Sequence, residues 1–405
     1  MRTTLKAKII MILVAVAFLF FFSNDFGLID VEKTSIITAI AIDKSGEDFE
    51  VTAQIAVPEA TDANTENLKA QLSGKGSTVG AALKDLGDVS GWFPKLAFCN
   101  LILLGNSLSQ TNVIEALDYF AKTLRVQDSA LVALSEKSAK ELLSVSTPLD
   151  NISAFALQKI MLKTQGFDQD VASTDIKSFC AGHYSKSRSA YMPLIKIISA
   201  GDNSSGGSQQ GGSSGGSGST SGTGEGQSSS KNENKLFDAR TTALFKNGRK
   251  VGELDENLTL VFNALTKEFS DTTIPVDGVV ENGKSSNYLL TVIDSNSKMC
   301  LDFSNGFNVN ISLKMYCKIS DHAVDGSKET LSQNVPLSSG LKEKAEKQLS
   351  NYITDMFETC KRTGCDFLSI KEKLYRHHYK QYSKYKDNYL SVMKLKVFIS
   401  VTGQK

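Results

Sequence analysis

The chain has 405 residues, which is enough for two or three domains with cores of their own. Hydrophobic residues make up 41% and charged residues 22%, which excludes wholesale disorder, a collagen-like repeat and a polytopic membrane protein. The 45 Lys and Arg residues against 44 Asp and Glu leave a formal net charge of +1. Because no overall field would attract a polyanion, we expect no nucleic-acid partner.

The first 30 residues have the charge order of an export signal. Arg2, Lys6 and Lys8 precede 14 apolar residues at positions 9–22, and acidic residues follow. Basic residues stay on the cytoplasmic side, so the chain after this run is predicted to be extracytoplasmic. The length fits a signal peptide or a short span, with a buried core helix as a further alternative. Since no cleavage site of good quality follows, we favour an uncleaved signal-anchor helix within residues 1–30.

Residues 33–148 alternate between strand and helix patterns. In chain order the patterns predict strands at 36–42, 49–57, 97–104 and 130–134, and helices at 79–86, 111–124 and 141–145. Ser77 and Thr78 precede the first helix as capping residues. Alternating strands and helices predict an N-terminal α/β domain.

Residues 149–275 are predicted to form a middle domain that a Gly/Ser tract interrupts. The patterns indicate a helix at 152–161, a strand at 191–198, a hairpin at 241–254 that turns at Asn247-Gly248, and a helix capped by Asp255. Between residues 201 and 230, 22 of 30 residues are Gly or Ser. Such a composition buries too little apolar surface to order itself, so we expect a disordered loop over 201–235.

Residues 276–405 are predicted to form a C-terminal α+β domain. The patterns indicate strands near 288–293, 308–313 and 315–319, a long helix over 341–357, a second helix near 370–385 and a closing strand over 393–401. The whole chain is therefore expected to have a mixed α/β fold.

One stretch satisfies the phosphate-loop pattern of nucleotide-binding enzymes. Gly278-Val279-Val280-Glu281-Asn282-Gly283-Lys284-Ser285 has the required glycines, lysine and serine. A phosphate loop must lead into a helix, however, and the residues that follow have a strand pattern. We therefore interpret Asn282-Gly283 as a hairpin turn and disfavour an ATP-dependent enzyme.

The remaining reactive residue types form no recognisable catalytic or metal motif. His377 and His378 are adjacent, so they point to different helix faces and do not fit a zinc site. The six cysteines permit disulfides, with Cys360–Cys365 and Cys300–Cys317 the nearest pairs, but we favour mostly buried thiols. We assign no catalytic, cofactor-binding or metal residues, leave the ligand-binding residues open and expect no enzymatic activity.

A basic and aromatic strip lies near the C-terminus. Six basic residues interleave there with tyrosines: Lys371, Lys373, Arg376, Lys380, Lys384 and Lys386 with Tyr375, Tyr379, Tyr382, Tyr385 and Tyr389. The strip fits either a surface that contacts a membrane or partner, or a solvated helix face with half-buried tyrosines. We favour the solvated face.

Several runs together resemble the Ger(x)C family. They are the run IITAIAIDKSG (residues 36–46), Gly76-Ser77-Thr78, the run RTTALFKNGRKVGEL (residues 240–254) and residues 370–403. The resemblance runs in order from about residue 33 to the C-terminus, and the Gly/Ser tract interrupts it. Its most specific parts are ALFKNGRKVGEL and the ending Val401-Thr402-Gly403.

The resemblance implies a C subunit of a spore nutrient germinant receptor. Such a protein would be three-lobed, extracytoplasmic and non-enzymatic, and would act beside membrane-embedded A and B subunits in the spore inner membrane. Family members usually carry a lipid-modified cysteine after the signal, whereas this sequence has none there. The signal helix would then hold the protein on the membrane. A membrane-anchored solute-binding or scaffold protein is the alternative.

Overall fold

The computed structural model describes residues 9–16, 18, 34–56, 69–91, 93–123, 126–162, 170–199, 235–267, 269–281, 283–324 and 336–403. Residues 9–16 are helical and exposed. Among the described helices, none combines the length and the apolar character needed to cross a bilayer. Much of the predicted signal anchor, and the predicted disordered loop up to residue 234, lie outside the described residues.

Strands and helices alternate from residue 34 to residue 266. The strands are β1 (Thr34–Ser45), β2 (Asp48–Ala56), β3 (Lys69–Gly76), β4 (Phe93–Lys95), β5 (Leu101–Leu104), β6 (Leu131–Ser135), β7 (Thr174–Asp175), β8 (Ser189–Ser199), β9 (Lys235–Lys246) and β10 (Arg249–Leu254). The helices are α1 (Val79–Ser90), α2 (Asn106–Ser109), α3 (Ile114–Thr123), α4 (Ala139–Ser144), α5 (Ser153–Met161), α6 (Ile176–Tyr184) and α7 (Glu256–Thr266).

These ten strands form one mixed sheet. Its main order is β10-β9-β8-β6-β5-β1-β2-β3, with β4 beside β1 and β7 beside β6. The central strands β1, β5, β6 and β8 are parallel, and antiparallel hairpins extend the sheet at both ends. The strands of the predicted middle domain therefore lie in the same sheet as those of the predicted N-terminal domain.

Helices cover both faces of this sheet. Successive side chains of a strand point to opposite faces, so Ile40 and Ile42 pack with α1, α3 and α6, while Ala39 and Ala41 pack with α4 and α5. Burial on both faces explains why the central strands read as continuous apolar runs. Gly74 allows α1 to lie directly on β3, because a Cβ there would come within 2.3 Å of the Ala82 carbonyl oxygen.

The C-terminal part forms a second sheet under a long helix. Its strands are β11 (Thr272–Glu281), β12 (Lys284–Asp302), β13 (Asn308–Val324) and β14 (Lys394–Gly403), in that order, with β13 and β14 parallel. The helices are α8 (Ser339–Thr363), α9 (Ile370–His377), α10 (Tyr379–Tyr385) and α11 (Tyr389–Val392). The apolar side of α8 packs with α7 and the second sheet in one core, which also contains Leu244 and Leu254 of the first sheet.

Three predicted elements differ from the structure. Within the predicted strand 97–104, residues Leu96–Phe98 form a 3₁₀ turn and the strand begins at Leu101. The two predicted strands at 308–319 are one strand, since buried and less buried residues alternate through the exposed Lys314 without a turn. The predicted helix at 370–385 breaks at His378, whose backbone is not helical and whose ring packs edge-on against Phe303.

Candidate functional site

The β9–β10 hairpin, which contains most of the ALFKNGRKVGEL run, lies between two helices. Asn247 and Gly248 both have positive φ angles, as a tight hairpin turn requires. The Gly248 carbonyl oxygen accepts a hydrogen bond from the Val113 amide at 3.0 Å, and a Cβ on Gly248 would lie 1.9 Å from Asn112 Oδ1. A Cβ on Gly252 would lie 2.7 Å from Thr363 Cγ2 of α8. The hairpin therefore contacts the start of α3 on one side and the end of α8 on the other.

A buried carboxylate organises the segment between α8 and α9. Asp366 is 1% exposed and accepts hydrogen bonds from the backbone amides of Ile370 at 2.8 Å and Lys371 at 2.7 Å. The Tyr389 hydroxyl donates to the same carboxylate at 3.2 Å. Asp366 thus caps the N-terminus of α9 and ties it to α11.

Polar contacts also join the backbone of Asp366 to the first sheet and fix the start of that sheet's strand β8. The Asp366 amide donates to Ser189 Oγ at 2.9 Å, at the first residue of β8. Lys246, the last residue of β9, donates from Nζ to the Ser187 carbonyl oxygen at 2.6 Å. We call Ser187, Ser189, Lys246, Asp366 and Tyr389 the junction cluster, because they connect β8 and β9 to the helices that follow α8.

Burial dominates the electrostatics of the junction cluster. It raises the pKa of Asp366, although the hydrogen bonds from Lys371 and Ile370 oppose the shift. Burial also raises the pKa of Tyr389, and the neighbouring Asp366 charge raises it further. The pKa of Lys246 is lowered by burial, while Cys365 and Asp366 act in the opposite direction. Buried polar groups tolerate this cost when each has a partner, and such networks specify one arrangement of the elements that carry them.

The cysteines around the cluster are thiols. Cys360 and Cys365 are free and buried, so the disulfide considered for this pair is absent from the described structure. The Cys365 thiol donates to the Phe245 carbonyl oxygen at 3.2 Å. Burial raises the pKa of Cys365 to about 12 and that of Cys360 well above its ordinary value. Because the thiolate is the reactive form, both are poor nucleophiles.

The basic and aromatic strip lies next to the junction, with Arg376, Tyr379, Lys380 and Lys384 exposed and Tyr375 and Tyr382 half-buried. The rings of Tyr375, Tyr379 and Tyr382 contact one another, with the Tyr375 and Tyr382 centroids 5.1 Å apart. The Lys186 amine, from the turn before β8, lies 4.7 Å from the Tyr375 centroid. We call the Lys/Tyr surface the set Lys186, Tyr375, Arg376, Tyr379, Lys380, Tyr382 and Lys384.

The phosphate-loop pattern lies in the β11–β12 hairpin, as the sequence predicts. Val280 pairs with Ser285 and Glu281 with Lys284 in antiparallel register. The Gly278 amide donates to Asn287 Oδ1 at 2.9 Å, so this amide already has a partner within the hairpin. In the described ranges, no three His, Cys, Asp or Glu side chains are grouped as a metal site would require.

Comparisons with known proteins identify the family. A model described as the spore germination protein N-terminal domain matches residues 28–197, and one described as spore germination B3/GerAC-like, C-terminal, matches residues 240–403. The chain belongs to the Ger(x)C family of spore germination proteins. The resemblance seen in the sequence is thereby confirmed. Among curated proteins, none matches the chain.

One solved structure resembles this Ger(x)C chain. It is titled "Crystal Structure of the GerBC protein", is 16% identical, and the match covers 93% of this chain and 100% of that one with a TM-score of 0.49. The two segments that the family models match contact each other at the junction cluster. Ser187 and Ser189 belong to the N-terminal match, and Lys246, Asp366 and Tyr389 belong to the C-terminal match.

Sequence reasoning places the Ger(x)C runs correctly but misses the junction cluster. It singles out neither Asp366 nor Lys246, because their partners lie far away in sequence: Ser189 is 177 residues from Asp366 and Ser187 is 59 residues from Lys246. Neither residue has a local signal, since a capping residue stands immediately before the helix and that position is Ser369, three residues after Asp366. Of the quoted runs, IITAIAIDKSG contributes Asp43, whose carboxylate accepts the Ala139 and Lys140 amides at the start of α4.

Proposed function

We propose that this protein is a non-enzymatic C subunit of a spore nutrient germinant receptor. The observation that carries the proposal is the pair of spore germination family models, which together extend from residue 28 to residue 403 apart from residues 198–239. In this role the protein acts with membrane-embedded A and B subunits to trigger germination. The high pKa of the buried thiols supports a role that is not catalytic.

The location follows from the N-terminal charge order. Arg2, Lys6 and Lys8 precede the apolar run, which supports an extracytoplasmic body on the outer face of the spore inner membrane. We propose that the N-terminal segment is an uncleaved signal anchor, since no cysteine follows it that a lipid could modify. The parts proposed for the body are residues 33–148, 149–275 and 276–405, with the Gly/Ser tract as a disordered loop in the second, and the first two share the ten-stranded sheet.

The junction cluster gives this role a physical basis. A subunit that couples its neighbours must transmit a displacement of one part to another, and packed bistable or rigid elements do so better than flexible linkers. The Asp366 amide donates to Ser189 Oγ and the Cys365 thiol donates to the Phe245 carbonyl oxygen, so two buried hydrogen bonds connect the first sheet to the segment that follows α8. We propose that these contacts make the two sheets respond together.

The test is nutrient-triggered dipicolinate release from spores that lack the gene. We expect the nutrient response to be lost selectively, restored by the wild-type gene, and unaffected for a non-nutrient trigger. Spores with Asp366→Ala should respond weakly even when the protein is present at the wild-type level. An unchanged response to every nutrient in a strain without paralogues would contradict the proposal and favour an anchored solute-binding or scaffold protein.

A further inference from the structure

The N-terminal segment connects to the first sheet at the edge where the parallel strands begin. The strands β1, β5, β6 and β8 are parallel, so their first residues share one edge of the sheet. β1 begins at Thr34, where it pairs with β4. The apolar run at residues 9–22 precedes Thr34 in the chain. An anchor formed by that run therefore joins the body at this edge.

Large apolar side chains are exposed at the same edge. Phe93, paired with Thr34, is 42% exposed, and Phe98, in the turn before β5, is 53% exposed. Ile36 near the start of β1 is 39% exposed. Exposed aromatic and apolar residues grouped on one side of a protein mark a site of contact with a partner or a membrane.

The Lys/Tyr surface continues this edge at its other end. Tyr184, the last residue of α6, is 67% exposed, and Lys186 lies in the turn that leads into β8, the last of the four parallel strands. The contact between Lys186 and Tyr375 joins that turn to α9 and α10. The edge thus has exposed phenylalanines near the anchor and tyrosines with basic residues further along.

The charge of the Lys/Tyr surface is positive and available. Four of its seven residues are basic, namely Lys186, Arg376, Lys380 and Lys384, and residues 371–386 contain one acidic residue, Glu372. Glu372 already accepts hydrogen bonds from Arg376 Nε at 2.9 Å and from the Lys186 amide at 3.4 Å. Lys380 and Lys384 are exposed and form no ion pair with any described residue. Their charges complement an anionic surface.

We propose that this edge faces the bilayer and that the Lys/Tyr surface binds anionic lipid headgroups. The proposal rests on the proposed function only in taking the N-terminal segment as the membrane anchor. Lysines with amphipathic tyrosines suit the headgroup region, because the charge reaches the phosphates while the ring lies at the apolar boundary. The contact would hold the body at a fixed orientation, which a single anchor leaves free.

Lysine labelling tests the orientation directly. The full chain is reconstituted into phosphatidylcholine vesicles with or without phosphatidylglycerol, acetylated, and analysed by mass spectrometry. We expect Lys380 and Lys384 to react about five-fold more slowly with phosphatidylglycerol present, and to lose this protection in molar salt. Lys137, exposed after β6 at the opposite edge, is the internal control and should react equally in both vesicles.

Two variants complete the test. In Lys380→Gln/Lys384→Gln we expect Lys186 to lose its protection, whereas Lys137→Gln should leave all protection unchanged. Equal labelling of Lys380 and Lys384 in both vesicles would overturn the proposal, and so would protection of Lys137. Protection seen only in spore membranes that contain the other receptor subunits would also overturn it, because the occupant would then be a protein.

Flotation separates this proposal from the anchor. A chain that floats with pure phosphatidylcholine vesicles in molar salt is held by its N-terminal segment, and labelling then reports on the Lys/Tyr surface. If it does not float, the anchor is wrong and the surface is tested by itself. Low-salt flotation with phosphatidylglycerol that falls at least ten-fold in Lys380→Gln/Lys384→Gln would still support the surface. Absence of such flotation would overturn it.

Discussion

Two hairpins in this chain carry the dipeptide Asn-Gly between their strands, yet their surroundings differ. Gly248, in the β9–β10 hairpin, lies against Asn112, and its carbonyl oxygen accepts the Val113 amide. Gly283, in the β11–β12 hairpin, has nothing within 4 Å of where a Cβ would lie. The same Asn-Gly signal therefore lies in a turn packed against α3 in one hairpin and in an open turn in the other. Local sequence determines the turn, and tertiary contacts determine its role.

The largest expected effect lies at Asp366, the buried carboxylate of the junction cluster beside the β9–β10 hairpin. Asp366→Ala leaves the Ile370 and Lys371 amides unpaired in the interior, so we expect a loss of about 3 kcal/mol in the free energy of unfolding, measured with urea. Asp302→Ala is the matched control. That carboxylate also accepts a backbone amide, from Ser304, but the site is exposed, so stability should change little. Equal losses in the two variants would show that burial does not distinguish the two sites.

The two glycines provide the next comparison. Gly248→Ala combines strain at a φ of +79° with displacement of Asn112 from the Ile114 amide, so we expect a loss of about 2 to 3 kcal/mol. Gly283→Ala adds only the strain at a φ of +78°, or about 1 kcal/mol. Thermal and urea unfolding measure both. If Gly283→Ala lowered the stability more than Gly248→Ala does, the β11–β12 turn could not be the open turn that the structure shows.

The pH dependence of stability provides a third test, at Asp366 of the junction cluster. Because burial raises the pKa of Asp366, the folded state binds its proton more tightly than the unfolded state does. The stability contributed by this group is therefore greatest below the ordinary Asp pKa of about 3.9 and is lost as the pH rises through the raised value.

This dependence is measured as the difference between wild type and Asp366→Asn over a pH series. We expect the stability of wild type relative to the variant to fall as the pH rises above about 4, by at most about 1.4 kcal/mol per pH unit. A difference that is constant or grows with pH would mean that the hydrogen bonds, not burial, dominate at this carboxylate.

These contrasts show how far the sequence alone leads. The continuous apolar runs around Ile40 and Ile102 and the capping residues Thr78 and Asp255 predict most strands and helices, because those signals are local. The strand from 308 to 324 is predicted as two pieces, and the continuous first sheet is not foreseen, since strand pairing depends on contacts distant in sequence. The junction cluster is missed for the same reason: the partners of Asp366 and Lys246 become neighbours only in the fold.

The smallest expected effect lies at the free hairpin. Lys284 is exposed, so Lys284→Ala should change stability by less than about 0.5 kcal/mol. A phosphate loop would need Lys284 and the preceding amides to converge on one anion at a helix start, whereas Lys284 begins a strand and the Gly278 amide donates to Asn287. Calorimetric titration of the full chain with MgATP should therefore give no saturable binding, in wild type or variant. Saturable binding that Lys284→Ala abolishes would show that the β11–β12 hairpin rearranges around phosphate. The description of its turn as open and without a function would then be wrong.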